Sequence, residues 1–375
     1  MRIAIPKEKT PGEHRVSMVP ALIPALQQLG FTIAMEAGAG SGSHFLDEKY
    51  EGVEFFTDTA GLYENADIIL KVEPPFKEEI LQYKQNAIAI GFFSPYLNLD
   101  RVTALRDQMV TSFAMENIPR ISRAQSMDAL SSQATVVGYK AALMAANYLP
   151  RFFPMLTTAA GTIRPATVLV IGAGVAGLQA IATAHRLGAI VKAYDVRTAA
   201  REQIESLGAK MINIDLKGDS VGGYARELTH EEKEKQQAAL SDAVAQAEAI
   251  ITTALIPGKP APKIITQAMV DKMQPGSIII DTAAIAGGNC ELTKMDETVV
   301  YKGVTIFGAS RLASMVARDA SNMYAKNIVN FLQLLVKDKK LALDWEDPIL
   351  SQSVLTHDGI IQNLEIRSLI EGPPS

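Results

Sequence analysis

The chain has 375 residues, of which 48% are hydrophobic and 21% charged, so it can form one large hydrophobic core or two ordinary ones. Its 36 basic and 41 acidic side chains leave a net charge of −5, which excludes the strongly basic surface that attracts nucleic acid or anionic lipid. The single cysteine excludes an intramolecular disulfide framework, and with only five histidines beside it we predict no metal site.

Short apolar runs alternate with stretches of helical spacing. The first series of predicted strands is residues 2–5, 31–36, 67–72, 87–93 and 111–116, with helices at 20–29 and 100–106. After a long predicted helix at 128–148, the second series is 167–171, 190–195, 211–214, 249–252, 277–282 and 304–307, and a helix at 314–336 follows. Such alternation indicates parallel sheets with helices on both faces.

We therefore predict an α/β fold with two doubly wound, Rossmann-like domains linked by long helices. The first domain is expected to be discontinuous, formed by residues 1–130 and 309–375, and the second to span residues 131–308. Residues 166–184 carry no charge, but β-branched residues and three glycines break this stretch, which favours a strand, a turn and a buried helix start over a membrane span.

The strongest motif lies inside that stretch: Gly172, Gly174 and Gly177 follow a predicted strand directly and open a helix. In dinucleotide-binding folds the first glycine permits the tight turn, the second lets the backbone approach a pyrophosphate, and the third lets helix pack on strand. The amide groups at this helix start, including those of Val175 and Ala176, would then face the phosphates. The alternative is that these glycines serve packing alone.

An acidic residue ends the next predicted strand, which is where such folds bind the adenosine ribose. Asp195 would accept hydrogen bonds from the ribose hydroxyls and repel a 2′-phosphate, which predicts NAD(H) rather than NADP(H) as cofactor. Val196 would line the same position, and Arg197 weakens the prediction because an arginine there accommodates a phosphate. An earlier glycine group, residues 38–42, lacks the third glycine at the right offset and is predicted to be a loop.

With this fingerprint placed, the whole chain resembles the family that joins alanine dehydrogenase to the NAD(H)-binding domain of proton-translocating transhydrogenase. Both branches share residues 3–8 (IAIPKE), 12–16 (GEHRV) and 70–74 (LKVEP). Three longer stretches resemble the transhydrogenase branch in particular: residues 119–128 (PRISRAQSMD) with 131–133 (SSQ), 222–225 (GGYA) and 251–262 (ITTALIPGKPAP).

The two branches need different chemistry. An amino-acid dehydrogenase moves a proton as well as a hydride, so it needs an acid/base group and cations for the substrate carboxylate. Where the alanine dehydrogenase pattern has a histidine and an aspartate, this chain has Asn98 and Ile285, which do not titrate near neutral pH. The carboxylate-binding pair of that branch, Arg15 and Lys71, is present and argues weakly for it, although a structural role is the preferred interpretation.

The resemblance also implies site residues. Arg120, Gln125, Asp128 and Ser131 would form the catalytic loop that holds the nicotinamide, although Ser126 or Asp128 also fits a helix N-cap. Further cofactor-binding residues would lie in a mobile flap over the nucleotide and in the pocket lining, namely Gly223, Tyr224, Gln236, Thr253, Ala254 and Leu255.

The resemblance implies a subunit that works with others. The chain would be a homodimer that acts with an NADP(H)-binding subunit and a membrane-spanning subunit, peripheral at the cytoplasmic face of the inner membrane, and would transfer hydride between NADH and NADP⁺ in a reaction coupled to proton translocation. The alternatives are an alanine dehydrogenase-like amino-acid dehydrogenase and a non-catalytic NAD(H)-sensing module.

Overall fold

The computed structural model describes residues 1–212, 220–221, 224–225, 229–256 and 258–372, with the backbone alone at residues 220, 221, 224, 225, 233 and 236. The chain divides into two compact units. Unit 1 comprises Met1–Gln133 and Ser314–Ser375, and unit 2 comprises Ala134–Ala313.

The strands are as follows, in chain order. The N-terminal segment of unit 1 contains β1 (Arg2–Ile5), β2 (Thr32–Glu36), β3 (Val53–Phe56), β4 (Ile68–Leu70), β5 (Ile88–Gly91) and β6 (Thr111–Ala114). Unit 2 contains β7 (Leu156–Thr158), β8 (Gly161–Ile163), β9 (Thr167–Ile171), β10 (Ile190–Tyr194), β11 (Lys210–Met211), β12 (Ser220–Val221), β13 (Tyr224–Ala225), β14 (Ala249–Thr252), β15 (Ile278–Asp281), β16 (Thr298–Tyr301) and β17 (Val304–Gly308). The C-terminal segment of unit 1 contains β18 (Val336–Lys337), β19 (Lys340–Leu341), β20 (Val354–His357) and β21 (Ile360–Ile361).

The helices follow the same order. They are α1 (Ile23–Gln28), α2 (Thr59–Glu64), α3 (Lys77–Ile80), α4 (Leu99–Asp107), α5 (Ala129–Tyr148), α6 (Val175–Arg186), α7 (Arg201–Ser206), α8 (His230–Gln246), α9 (Gln267–Val270), α10 (Ala317–Leu334), α11 (Pro348–Ser353) and α12 (Leu364–Glu371). Across the described ranges, no helix is both long and apolar enough to cross a membrane.

Each unit contains one large sheet, and the two sheets share a strand order. In unit 1 the order is β21-β20-β6-β5-β4-β1-β2-β3, and in unit 2 it is β11-β10-β9-β14-β15-β17-β16. Both contain the six-strand order 3-2-1-4-5-6 of doubly wound nucleotide-binding folds. The predicted fold class, two Rossmann-like α/β domains, is confirmed.

Alternation along the strands explains why each sheet is buried on both faces. In β1, Ile3 and Ile5 pack into one hydrophobic core of unit 1 while Ala4 packs into the other. In β9, Val168 and Val170 face one core of unit 2 and Leu169 faces the other. Strands covered by helices on both sides have near-continuous apolar sequences, and this is why these runs were recognisable.

The sheets are not parallel throughout, and the prediction of parallel sheets was wrong at the edges. Strand β20 is antiparallel to β6, β21 is antiparallel to β20, and β16 is antiparallel to β17. The sequence analysis also missed β3 and the hairpin of β7 and β8. These strands are short and half-exposed or exposed, so they lack the continuous apolar run that marks a central strand.

The early glycine group is a packed loop, as predicted. A Cβ at Gly40 would lie 2.5 Å from the carbonyl oxygen of Phe45, and one at Gly42 would lie 2.8 Å from that of His14. The Gly38 amide donates to the Asp47 carboxylate. The glycines here allow close contact between chain segments.

Candidate functional site

The glycine fingerprint joins β9 to α6 in unit 2, and two of its glycines are required by the fold. Gly172 has φ +94°, and a Cβ there would lie 2.7 Å from Thr253 Oγ1. At Gly177 a Cβ would lie 1.8 Å from the carbonyl oxygen of Gly172, so any side chain would force helix and strand apart.

Gly174 differs from both. Its backbone angles, φ −76° and ψ −168°, are open to any residue, and among the described residues no atom lies within 4 Å of a Cβ built there. Gly174 is the N-cap of α6 and provides no capping side chain, so the first amides of the helix, including those of Val175 and Ala176, point out of the helix start. Neither backbone conformation nor packing explains a glycine at this position.

Asp195 follows β10 and is almost fully buried, at 8% exposure. Its carboxylate accepts hydrogen bonds from the Ala173 amide at 2.7 Å and from the Arg197 amide at 2.8 Å. The Arg197 guanidinium also binds it, with Nε and one terminal nitrogen both at 2.9 Å, and this pairing raises the pKa of Arg197. The structure therefore brings Asp195 to the glycine loop and pairs Arg197 with it. Val196, between them, is half-buried.

The segment after β14 borders the same loop. Thr253 Oγ1 donates to the carbonyl oxygen of Gly172 at 3.1 Å, and Leu255 is exposed. Ala254 is held at both backbone groups by the buried amide of Asn289: its N–H donates to Oδ1 at 3.0 Å and its C=O accepts from Nδ2 at 2.8 Å. Sequence reasoning missed Asn289, because an isolated asparagine between loops carries no signal of a partner 35 residues away.

Three predicted cofactor residues are not described in full. Gly223 lies outside the described residues. Tyr224 begins β13, which pairs with β12, but its side chain lies outside them too. Gln236 is in α8, and its side chain likewise lies outside the described part of the chain.

The predicted nicotinamide loop lies in unit 1, around a 3₁₀ turn at Ser122–Met127. Asp128 caps α5: one carboxylate oxygen accepts from the Ser131 amide at 2.8 Å and the other from the Ser131 hydroxyl at 2.6 Å. The structure thus brings Asp128 and Ser131 together, and of the two candidate N-caps it identifies Asp128. Arg120 and Gln125 are exposed on the same segment.

Arg15 and Lys71 are both buried in unit 1 and paired with carboxylates. Arg15 donates to both oxygens of Glu13, at 2.7 and 2.8 Å, and to Glu73 at 2.7 Å. Lys71 Nζ lies 3.0 Å from Glu8 and 3.4 Å from Glu79. Burial alone would lower the pKa of Lys71, but the two carboxylates outweigh it and the pKa is raised. Both cations are therefore neutralised within their own unit.

The two positions that separate the branches carry no acid or base. The Asn98 side-chain amide donates to the carbonyl oxygens of Phe93 and Ser94, at 3.1 and 3.0 Å, and so closes the turn after β5. Ile285 lies in a short 3₁₀ turn of unit 2 and is 48% exposed. Their side chains close a turn and cover a surface, and neither exchanges a proton near neutral pH.

Comparison with known proteins agrees with these features over nearly the whole chain. The N-terminal and C-terminal domain families described as alanine dehydrogenase/PNT match residues 4–137 and 141–363. An NAD(P) transhydrogenase subunit alpha chain of Rhodospirillum rubrum is 46% identical over 96% of this chain and 97% of its own length. The alanine dehydrogenase of Bacillus subtilis is 29% identical over 86% of this chain and 82% of its own.

A solved transhydrogenase structure from Sinorhizobium meliloti superposes with a TM-score of 0.84, at 42% identity, and covers 96% of this chain and 98% of that one. The relatives named transhydrogenase are thus much more similar than those named alanine dehydrogenase, in agreement with Asn98 and Ile285. The chain belongs to the alanine dehydrogenase/PNT family and, within it, to the alpha subunits of NAD(P) transhydrogenase, an oxidoreductase.

Proposed function

We propose that this chain binds NAD(H) on unit 2 and exchanges hydride with NADP(H) held by a partner subunit. The observation that carries the proposal is Gly174, which neither its backbone angles nor its described neighbours require to be glycine. A glycine with open space at a helix start is explained by a ligand that needs close backbone approach, and a pyrophosphate at the end of a helix dipole is such a ligand.

The surrounding residues fit the rest of the nucleotide. Asp195 supplies a carboxylate for the ribose hydroxyls, and residues 253–255 border the same loop. Gly223, Tyr224 and Gln236 are kept in the proposal as the flap and pocket residues that the family resemblance implies. Arg197 neutralises Asp195 without adding net charge, so the pair retains no positive charge for a 2′-phosphate, and the choice of NAD(H) over NADP(H) follows.

The chemistry asked of the protein is positioning. Bound NADH supplies a hydride that passes to a second nicotinamide, with no proton to place or remove. This chain therefore needs groups that hold a ring still and exclude water, and we assign that work to Arg120, Gln125, Asp128 and Ser131. Asn98 and Ile285 put no acid or base at their two positions, and Arg15 and Lys71 are already neutralised by carboxylates rather than open to a substrate carboxylate.

The proposal includes partners. The chain acts as a homodimer, peripheral at the cytoplasmic face of the membrane, with an NADP(H)-binding subunit and a membrane-spanning subunit that couples hydride transfer to proton translocation. These assignments rest on the family and on the names of the relatives, which call them subunits alpha.

Two alanine substitutions at the fingerprint test nucleotide binding. Gly174→Ala is expected to keep the melting temperature within a few degrees while NADH affinity falls about tenfold or more, because the new methyl group occupies only ligand space. Gly177→Ala is expected to lower the melting temperature strongly, because its methyl group meets the Gly172 carbonyl. NADH affinity is measured by the fluorescence of the dihydronicotinamide. Unchanged affinity in Gly174→Ala contradicts the site.

Mixing the chain with an NADP(H)-binding partner then tests the reaction. We expect transfer from NADPH to an NAD analogue only when both proteins are present. The chain alone is expected to show no NADH oxidation with pyruvate and ammonia; a turnover on the order of 1 per second would instead establish an amino-acid dehydrogenase.

A further inference from the structure

One buried side chain on α10 holds both ends of the segment that precedes and starts α5. Asn327 is 7% exposed, and its amide nitrogen donates to the carbonyl oxygen of Ser126 at 2.8 Å. Its amide oxygen accepts from the Ser132 hydroxyl at 2.7 Å. Both polar atoms of the amide are therefore bound to points six residues apart in the chain.

The segment enclosed by these two bonds contains Asp128 and Ser131, and Gln125 directly precedes it. Further contacts anchor its flanks: Gln133 accepts from Arg15 at 2.9 Å and donates to the Ala320 carbonyl oxygen at 3.0 Å. On the other side, Arg123 forms a two-bond ion pair with Asp347, at 2.5 and 2.8 Å. Arg123 is 52% exposed, so that pair is open to water and weakly constraining. Asn327 is the buried contact inside the segment.

We infer that Asn327 is a positioning residue for hydride transfer, acting through the backbone that carries Gln125, Asp128 and Ser131. An amide whose donor and acceptor are both used in a dry environment permits one arrangement of the two segments it joins. The inference rests on the proposed function, because the consequence for the reaction depends on Gln125 orienting a nicotinamide. Asn327 itself touches no reacting atom in this assignment.

The chain offers a matched control one helical turn away. Asn330 donates to the same Ser126 carbonyl oxygen at 3.0 Å, but it is only half-buried. Asn330→Ala therefore removes one bond to Ser126, whereas Asn327→Ala removes that bond and the bond to Ser132. Ser132→Ala is a milder variant that removes only the second.

The test measures amide hydrogen exchange by mass spectrometry and single-turnover transfer on the same preparations of the full chain, with an NADP(H)-binding partner for the second measurement. In Asn327→Ala, exchange of residues 122–132 should accelerate on the order of tenfold, while peptides of β9 and α6 stay unchanged. Transfer should fall about tenfold to a hundredfold with NADH affinity nearly constant, since displacement of a positioning group acts on the reacting geometry. Ser132→Ala should show both effects at smaller size, and Asn330→Ala should show the smallest.

Three results would overturn the inference. Unchanged exchange at residues 122–132 in Asn327→Ala removes the anchoring role. Faster exchange with intact transfer removes the role in the reaction. If the wild-type chain shows no transfer with its partner, the proposed function fails, and the positioning role fails with it even where the exchange data show anchoring. Should Asn327→Ala not fold, Ser132→Ala with its exchange and transfer measurements decides the same question.

Discussion

The two units build the same six-strand order and then treat the ends of their central strands in opposite ways. In unit 1, charged side chains lie where β1 and β4 end: the Glu8 carboxylate accepts from the Val72 amide at 2.7 Å and contacts Lys71 at 3.0 Å. In unit 2, where β9 and β14 end, Gly172 and Gly174 leave backbone alone, and the space beside Gly174 is open among the described residues.

In open α/β sheets this position, where the strand order reverses, is the usual place for a ligand. Unit 1 fills it with its own ions, which satisfy one another, whereas unit 2 keeps small residues and a bare helix start there. A shared topology therefore does not imply a shared function; the side chains at one crossover decide whether the position stabilises the fold or binds a nucleotide.

The largest effect that would sharpen this contrast is expected from Lys71→Met. The substitution leaves Glu8 and Glu79 buried without their cation, and breaking a buried ion pair in this way lowers the free energy of unfolding by roughly 3–5 kcal/mol. Chemical denaturation measures it. Because protonation neutralises the unpaired carboxylates, the loss should shrink when the pH is lowered from neutral towards 5.

Lys84→Met is the matched control in the same unit. Lys84 pairs with Asp67 at 2.9 Å, but the side chains are 50% and 41% exposed, so its loss should change stability by less than about 1 kcal/mol. Both variants should bind NADH as the wild type does. A folded Lys71→Met protein that no longer binds NADH would break the comparison, because it would place ligand chemistry in unit 1.

A somewhat smaller effect is expected at Gln125, the unit 1 residue to which we assign a role on the nucleotide. Gln125→Asn retains the amide but withdraws it by on the order of 1 Å, and such displacements slow a proximity-driven reaction about a hundredfold. NADH affinity should change only a few fold, because unit 2 still holds the adenosine half. Single-turnover transfer with the partner, measured beside the melting temperature, separates this role from packing, and intact transfer would remove Gln125 from the site.

Asp195→Asn tests the binding side of the contrast. The amide oxygen can still accept from the Ala173 amide, but the charged acceptor for the ribose is lost, which corresponds to roughly 1.5–3 kcal/mol of NADH binding free energy. NADPH binding should suffer less, so the preference between the nucleotides narrows. Asp296→Asn, which breaks an Asp–Arg pair with Arg311 in the same unit, is the control. Equal affinity of the wild type for both nucleotides would contradict the assignment.

The smallest expected effect concerns a buried acid of unit 1. Burial raises the pKa of Glu116 to about 7, although the amides of Phe93 and Ser94 bind one of its oxygens at 2.8 and 2.6 Å and oppose the shift. The folded state therefore binds this proton more tightly, and the resulting stability is complete below pH about 4.5 and is lost as the pH rises through 7. From pH 5 to 7.5, wild type should lose about 1–3 kcal/mol relative to Glu116→Gln. Parallel pH profiles of the two proteins would contradict the raised pKa.

The sequence was sufficient for those regions of the fold in which local pattern and tertiary environment agree. The strands β1, β9 and β14 were placed at their observed bounds because strands buried on both faces are written as short β-branched runs. Strand β20 was missed because its identity comes from β6, 241 positions earlier (354 − 113) in the pair of Val354 with Phe113. Strand direction at a sheet edge is a property of the partner.

The site divides in the same way. The roles of Gly172 and Gly177 follow from a local motif, and the structure shows the contacts that require them. The neutralisation of Arg15 and Lys71 did not follow, because Glu8 is 64 residues from the strand end it binds. Charged residues distant in sequence announce no pairing.

The discontinuity of unit 1 has a consequence for the order of folding. Strand β6 receives its antiparallel neighbour only when residues 354–357 emerge, and the bond between Ser112 Oγ and Thr356 Oγ1 joins positions 244 apart. During synthesis all of unit 2 is made before that edge is covered. An uncovered edge strand is a template for pairing with other chains, so the nascent protein carries its greatest aggregation hazard in the unit that is completed last. Expression at low temperature or with a chaperone should help most at this late step.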